Sequence, residues 1–339
     1  MIQEYIKKLT AGNDLTVEEA AIGMDEVLDG GATPAQISAF LTALRMKGET
    51  IEEITGCAQT LKQKACHIRP KSGGYIDCVG TGGDGANTFN ISTTAAFVIA
   101  AAGIPIAKHG NRAVSSKSGS ADLLEELGVN IMIEPEQVQK CVEDIGIGFM
   151  FARTFNKSMK SVNGIRSDLG IRTIFNILGP ISNPSDAKCQ VIGVFDKNLT
   201  HPLAAAMMNM GVTSGMVMNG VSNGMDEFST IGETAVSEIK DGTVIDYMVT
   251  PEQFGMKRAQ EQDILGGNIK ENAQITQRIL QGEKGAKRDI VVLNAAAAIY
   301  ASGKTATVQE GIAMAEQLLD DGSALKKLEQ LIFMTNQVR

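Results

Sequence analysis

Apolar residues over the first seventy positions recur at the spacing of helical turns. Ile37, Phe40, Leu41 and Leu44 share one face, as do Ile51, Ile54, Ala58 and Leu61, and such stripes build a core or a subunit contact rather than a ligand site. A start signal precedes each stretch: Thr16 with Glu19, Thr33 with Pro34 and Gln36, and Thr50 with Glu53. In such a capping box the hydroxyl and the side chain three positions later satisfy backbone amides that have no partner inside the helix. Residues 1–70 therefore read as a small helical domain.

From Tyr75 the pattern changes to short apolar runs, each followed by glycine and then a helical stretch. That alternation predicts a mostly parallel central sheet flanked by helices, an α/β domain over residues 71–339. The expected strands are Tyr75–Val79, Ile104–Ala107, Asn130–Ile133, Gly148–Ala152, Gln190–Phe195 and Gly215–Met218. Helices are expected from Ser92, Ser120, Pro135 and Thr200. The alanine- and leucine-rich tail, with helices over Val291–Ala301 and Thr307–Leu319, is expected to cover the sheet rather than do chemistry.

Composition narrows the function. A chain of 339 residues that is 43% hydrophobic can bury a large core. A net charge of −8 disfavours nucleic acid as a partner, because such proteins set Lys and Arg against phosphates. Five cysteines without a Cys-x-x-Cys pair, and three histidines, disfavour a zinc cage or a disulfide framework and suit the cytoplasm. No apolar run reaches the length of a membrane span, and the first residues lack the continuous apolar segment of a secretory signal.

Three clusters carry candidate chemistry. The first is Gly80-Thr-Gly-Gly-Asp-Gly85, at the end of an apolar strand and just before a helix that begins near Asn90 or Ser92. Glycines let a backbone approach a phosphate closely, and a helix N-terminus adds partial positive charge. The loop lacks the Gly-Lys-Ser/Thr ending of a P-loop and the glycine spacing of a dinucleotide fingerprint. The second cluster, Lys108-His-Gly-Asn-Arg-Ala-Val-Ser-Ser116, packs cations and hydroxyls after the next strand and outlines a polyanion site, with Ser120 capping the helix beyond. The third, Gly224-Met-Asp-Glu227, sets two carboxylates at the sheet edge, where magnesium can bridge carboxylate and phosphate oxygens.

Together these clusters resemble the anthranilate phosphoribosyltransferase family. The similarity extends through Asn90-Ile-Ser-Thr93, Lys117-Ser-Gly-Ser120, Gly170-Ile-Arg-Thr-Ile-Phe-Asn-Ile-Leu-Gly-Pro180 and Gly282-Glu-Lys-Gly285. The resemblance implies a nucleoside phosphorylase/phosphoribosyltransferase-like fold in which helices from about 165–185 join the helical domain. It also implies a homodimer through that domain and two Mg2+ ions. Its substrates would be 5-phosphoribosyl-1-pyrophosphate (PRPP) and anthranilate, with neither nucleic acid nor membrane as a partner.

Carried over by position, the resemblance assigns Gly80, Gly83, Asp84, Thr88, Asn90, Ile91, Ser92 and Thr93 to the phosphoribosyl donor. It assigns Lys108, His109, Gly110, Asn111, Arg112, Ala113, Val114, Ser115, Ser116 and Ser120 to the same ligand. Gly80, Asn111 and Arg166 would meet the acceptor, and Ser92, Asp226 and Glu227 the metal. No essential general base is expected, because an aniline-type nitrogen is neutral near pH 7 and already carries its lone pair. Lys108 and magnesium would stabilise charge on the leaving pyrophosphate.

One stretch departs from the family pattern. Where relatives read Phe-Ala-Pro, His-Pro-Ala-Met-Lys and Pro-Val-Arg, this chain has Phe151-Ala-Arg153, Asn156-Lys-Ser-Met-Lys160 and Gly164-Ile-Arg166, and Asn219 also stands where histidine is common. The change at Asn156 and Lys157 leaves open a related transferase with another aromatic acceptor. Two further alternatives are a nucleoside phosphorylase and a non-catalytic paralogue.

Overall fold

The computed structural model describes residues 1–71, 73–113 and 117–337. Its first four helices are α1 (Ile2–Thr10), α2 (Val17–Leu28), α3 (Pro34–Lys47) and α4 (Ile51–Gln63). All three capping boxes form, with Thr16, Thr33 and Thr50 each accepting from the amide three residues on. The alternating region then runs β1 (Ile76–Gly80), α5 (Ile91–Ala101), β2 (Ile106–Gly110), α6 (Ser120–Glu126), α7 (Pro135–Ile145), β3 (Ile147–Phe151), α8 (Ala152–Phe155), α9 (Lys160–Leu169) and α10 (Phe175–Ile181). It continues as β4 (Cys189–Gly193), α11 (Thr200–Asn209), β5 (Ser214–Gly220), β6 (Thr234–Lys240) and β7 (Thr243–Val249). Four helices close the chain: α12 (Ile269–Leu280), α13 (Ala286–Ala301), α14 (Val308–Asp320) and α15 (Ser323–Asn336).

The strands form one sheet in the order β3-β2-β1-β4-β5-β6-β7. Pairing is parallel from β3 through β5 and antiparallel where β6 and β7 join. The chain leaves β1 to one side for β2 and β3, then returns to the other side for β4 and β5. The carboxyl ends of β1 and β4, in register at Gly80 and Gly193, therefore flank a crevice of the kind where α/β sheets hold ligands.

Each face of the sheet packs on its own core. One joins Ile76, Cys78, Ile106, Phe149 and Val191 to α5, α13 and α15. The other joins Ile192, Val194 and Val217 to the N-terminal helices and to Val162, Phe175 and Leu178 of α9 and α10. No helix among the described residues is long and apolar enough to cross a membrane.

Four expectations need correction. Asn130–Ile133 is a turn between α6 and α7, not a strand. Its alternating apolar side chains are buried, but Asn130 accepts the Met132 amide on its own side chain and gives its N–H to Thr335 Oγ1, so no ladder is built. The second strand begins at Ile106 and runs to Gly110, because its backbone stays in register with β3 as far as Phe151; Lys108 and His109 thus lie in a strand rather than a loop. Ser120 is the first residue of α6, capped instead by Gly119, whose N–H is taken by Asp122 at 3.0 Å. Strands β6 and β7 were not expected; β7 lies at the sheet edge and none of its residues is fully buried.

Candidate active site

Glycines make the crevice possible. Gly82, Gly83 and Gly85 all adopt positive φ, so the loop after β1 turns back over the strand ends in a conformation costly to other residues. Gly80 and Gly193 serve a different need, close approach. A Cβ on Gly80 would sit 2.2 Å from Asp226 Oδ2, and one on Gly193 would sit 1.6 Å from the Asp226 backbone oxygen. Two bare strand ends thus admit the Asp226 turn between them. Sequence reading missed Gly193, although a glycine inside the apolar run Val191-Ile-Gly-Val194 is the ordinary sign of close backbone approach.

Hydrogen bonds then lock loop to turn. Gly82 N–H donates to Asp226 Oδ2 at 2.6 Å, Thr81 N–H to the Gly193 carbonyl at 2.9 Å, and the Asp226 amide to Asp84 Oδ2 at 3.2 Å. Glu227 Oε1 accepts the Ser92 amide at 3.0 Å, in the first turn of α5, while its Oε2 is buried with no hydrogen-bond partner among the described residues. The amide of Asn219 donates to the Val194 carbonyl at 2.6 Å and the Gly224 carbonyl at 3.2 Å, pinning the turn to β4. Asn219 therefore acts as a brace.

The electrostatics favour a cation. Burial drives the Asp226 carboxyl well above the usual range, and Asp84 and Glu227 push it further. Glu227 is raised to about 7, chiefly by burial, against the pull of the Ser92 amide and of Lys108. Crowded carboxylates with an unpartnered oxygen fit a divalent ion. Magnesium is an ion that takes one or two carboxylates and completes its shell with phosphate oxygens and water. Asp84 was expected only at the donor, yet it adjoins the Asp226 turn.

Strand alternation sorts Lys108 from His109. Lys108 is buried on the α5 side of the sheet, its Nζ donating to the Cys78 carbonyl. His109 lies on the opposite face, where the Asn156 amide approaches Nε2 at 3.1 Å. An NH2 group can only donate, so Nε2 is the acceptor and the ring proton sits on Nδ1. Burial lowers the His109 pKa to about 4, keeping the ring neutral. Beneath it, Asn183 bridges Asp77 Oδ2 at 2.6 Å and the Ala107 carbonyl at 2.9 Å. His109 is thus enclosed on the helical side and removed from the loop that faces the crevice, and Asp77 and Asn183, unremarked in the sequence, support it.

Other expected residues take varied positions. Asn90 precedes α5 and clamps the Ser118 segment, donating to the Ser118 carbonyl at 3.0 Å. Thr88 bridges to Leu265, Ile91 and Thr93 are buried, and the Ile91 amide donates to the Phe89 carbonyl at 2.8 Å. Gly110 allows Ser120 Oγ to come within 2.2 Å of where a Cβ would be. Asn111 accepts the Arg112 amide on Oδ1. The Arg112 guanidinium is paired with Asp122 and Glu125, and the Ala113 amide with Asp122, so both fold the segment onto α6. Val114, Ser115 and Ser116 lie outside the described residues. Arg166 of α9 packs 5.2 Å from the Phe175 ring centre, half-buried and without an ion pair among the described residues.

The whole chain has close relatives. Residues 72–325 match the glycosyl transferase family a/b domain, and residues 3–65 match its helical bundle domain. The chain is 55% identical over 336 residues to the anthranilate phosphoribosyltransferase of Acetivibrio thermocellus, spanning 99% of this chain and 97% of that one. Its fold is similar to that of the anthranilate phosphoribosyltransferase of Thermus thermophilus, with a TM-score of 0.93, 42% identity, and 98% and 99% of the two chains covered. It is also similar to the Saccharomyces cerevisiae enzyme in complex with PRPP and Mg, with a TM-score of 0.90, 30% identity, and 99% and 98% covered.

Proposed function

This chain belongs to the anthranilate phosphoribosyltransferase family, and from that membership we propose how its residues divide the work of the reaction. The enzyme transfers the phosphoribosyl group of PRPP to the amine of anthranilate, releasing pyrophosphate, a step of tryptophan biosynthesis. The observation that carries the assignment of roles is the junction of the Gly80–Gly85 loop with Asp226 at the crevice between β1 and β4.

The donor lies along that loop and the start of α5. Asn90 holds the Ser118 segment against the helix, so that segment and loop close on the ligand from two sides. Lys108 places a buried positive charge below them. Asp226 and Glu227, with Ser92, hold Mg2+, which supplies positive charge against the departing pyrophosphate. Two ions are proposed, the second near Asp84, and a calorimetric stoichiometry of one would reject the second.

Arg166 takes the acceptor carboxylate. Its planar fork can donate to both oxygens, and half-burial against Phe175 strengthens the pair relative to water. Gly80 leaves room where donor and acceptor meet, and Asn111 lines the same approach. The amine is already nucleophilic, so the chain's task is alignment, and no side chain has to remove a proton before attack.

Replacing Asp226 and Glu227 together by Asn and Gln tests the division. Turnover should fall at least about 100-fold, the loss typical of removing one preorganised charge-stabilising contact. Calorimetric Mg2+ binding should disappear with it. Unchanged turnover and metal dependence would reject the assignment. A homodimer through the N-terminal helices is also proposed, in line with Ile22 and Met46 being exposed there, and sedimentation measures it. The five cysteines, all unpaired, suit a reducing cytoplasm.

A further inference from the structure

Ile171 and Arg172 form a short strap between α9, ended by Gly170 at φ +62°, and α10, whose approach is fixed by the Thr173 amide on Asn176 Oδ1 at 2.9 Å. Arg172 points off this strap across the crevice. Its Cζ lies 4.0 Å from the Phe195 ring centre, just past β4, and Nη2 donates to the Gly83 carbonyl of the donor loop. No ion pair engages Arg172 among the described residues, although it is exposed and acids abound. An exposed guanidinium stacked on a ring and aimed at one carbonyl is fixing that carbonyl.

We propose that Arg172 is a positioning residue for the donor, setting the Gly83–Asp84 peptide so that the Asp84 N–H is presented to a phosphate oxygen of PRPP. A trans peptide is planar with its C=O and N–H on opposite sides, so holding the carbonyl toward Arg172 turns the following N–H away from it. Among the described residues nothing accepts that N–H. The loop cannot set this orientation alone, because Gly82 and Gly83 are both at positive φ and free to rotate. Thr81 and Gly82 are held by Gly193 and Asp226 and the Asp84 side chain by the Asp226 amide, while Arg172 alone holds the Gly83 carbonyl. The strap also carries the acceptor side, since Arg166 precedes Arg172 by six residues on α9. This inference rests on the donor assignment proposed above.

The test uses the full chain with R172M, which keeps length and the apolar contact with Phe195 but has no donor, and with R172K. In R172M the KM for PRPP should rise about tenfold, the loss of one well-oriented hydrogen bond to a charged group. The KM for anthranilate, and kcat at saturating PRPP, should stay within about twofold. Hydrogen exchange over the loop peptide containing Gly80–Asp84 should quicken in R172M, and R172K should lie between. A donor KM within about twofold of wild type, with unchanged exchange, overturns the proposal. A general fall in kcat and melting temperature without a donor-specific shift also overturns it. If R172M does not fold, R172K and its exchange decide alone. Failure of the wild-type protein to consume PRPP with anthranilate would instead count against the donor assignment itself.

Discussion

Gly80→Ala isolates the packing on which the proposed metal turn depends. The new Cβ would lie 2.2 Å from Asp226 Oδ2 and 2.7 Å from its Cγ, against an ordinary contact of about 3.5 Å. Gly80 is not at positive φ, so the backbone accepts alanine and the whole conflict falls on the carboxylate. Asp226 must withdraw by about 1 Å, which breaks its 2.6 Å bond from the Gly82 amide. Losing one charged hydrogen bond costs about 1.5–3 kcal/mol, enough to lower the melting temperature by a few degrees but not to unfold the chain. Activity should suffer more, because an angstrom of misplacement at a reacting centre costs on the order of 100-fold. Steady-state kinetics with a magnesium titration, alongside calorimetric melting, separates the two effects. If G80A kept kcat/KM within about threefold of wild type with the same magnesium dependence, the position of Asp226 seen here would not be the working one. Gly193→Ala provides the contrast: its Cβ meets the Asp226 backbone at 1.6 Å, which no side-chain rotation relieves, and soluble folded protein should be lost.

The His109 ring, with a pKa lowered to about 4, should stay neutral with its proton on Nδ1 from about pH 5 to 8, and nitrogen-detected NMR reads both features. The sign for stability follows: the unfolded chain takes up the proton first as pH falls, so this residue's contribution is lost from about pH 6.5 down to 4, on the order of 3 kcal/mol. Asn156→Asp should raise the His109 pKa, because a carboxylate beside Nε2 favours the imidazolium; an unmoved titration would mean that the two side chains do not touch in solution. Gly164→Ala, in α9 with nothing within 4 Å of its Cβ, should stabilise the protein by about 0.5–1 kcal/mol in chemical denaturation.

Local signals carried most of the fold. The capping boxes at Thr16, Thr33 and Thr50 and the apolar runs before each glycine need only a few neighbouring residues to be read, and the structure places elements there. The turn at Asn130 failed the same test, because burial alternates in a turn squeezed between helices as it does in a strand, and only Thr335, about two hundred residues away, shows where its amide goes. In the site, the residues proposed to meet ligands were legible by type: glycines, a lysine, paired acids. Their supports were not. Asn219, Gly193, Asn183 and Arg172 each act on a backbone atom distant in sequence, and an isolated Asn, Gly or Arg carries no pattern that reveals such a partner.

The Lys108-His109 pair shows what the fold adds to a motif. Read as a loop, it was one cluster of cations around a polyanion. Placed in β2, its two side chains must leave on opposite faces of the sheet. Lys108 goes to the α5 side, near enough to Glu227 to counter its burial, which is the side proposed for pyrophosphate. His109 goes to the helical side, between Asn156 and the Asp77-Asn183 bridge, which faces the proposed acceptor wall. A cation there would be buried on the face opposite the proposed anionic ligand, and burial holds His109 neutral. This bears on the departure at Asn156. An amide that donates to Nε2 secures the one tautomer that neutral His109 can use, and it does so wherever the ring is neutral, because the amide itself does not titrate. A histidine at position 156 could make the same donation only in one of its own two neutral tautomers. Asn156 thus supports His109 beside the proposed acceptor wall, in a chain that matches anthranilate phosphoribosyltransferases over nearly its whole length.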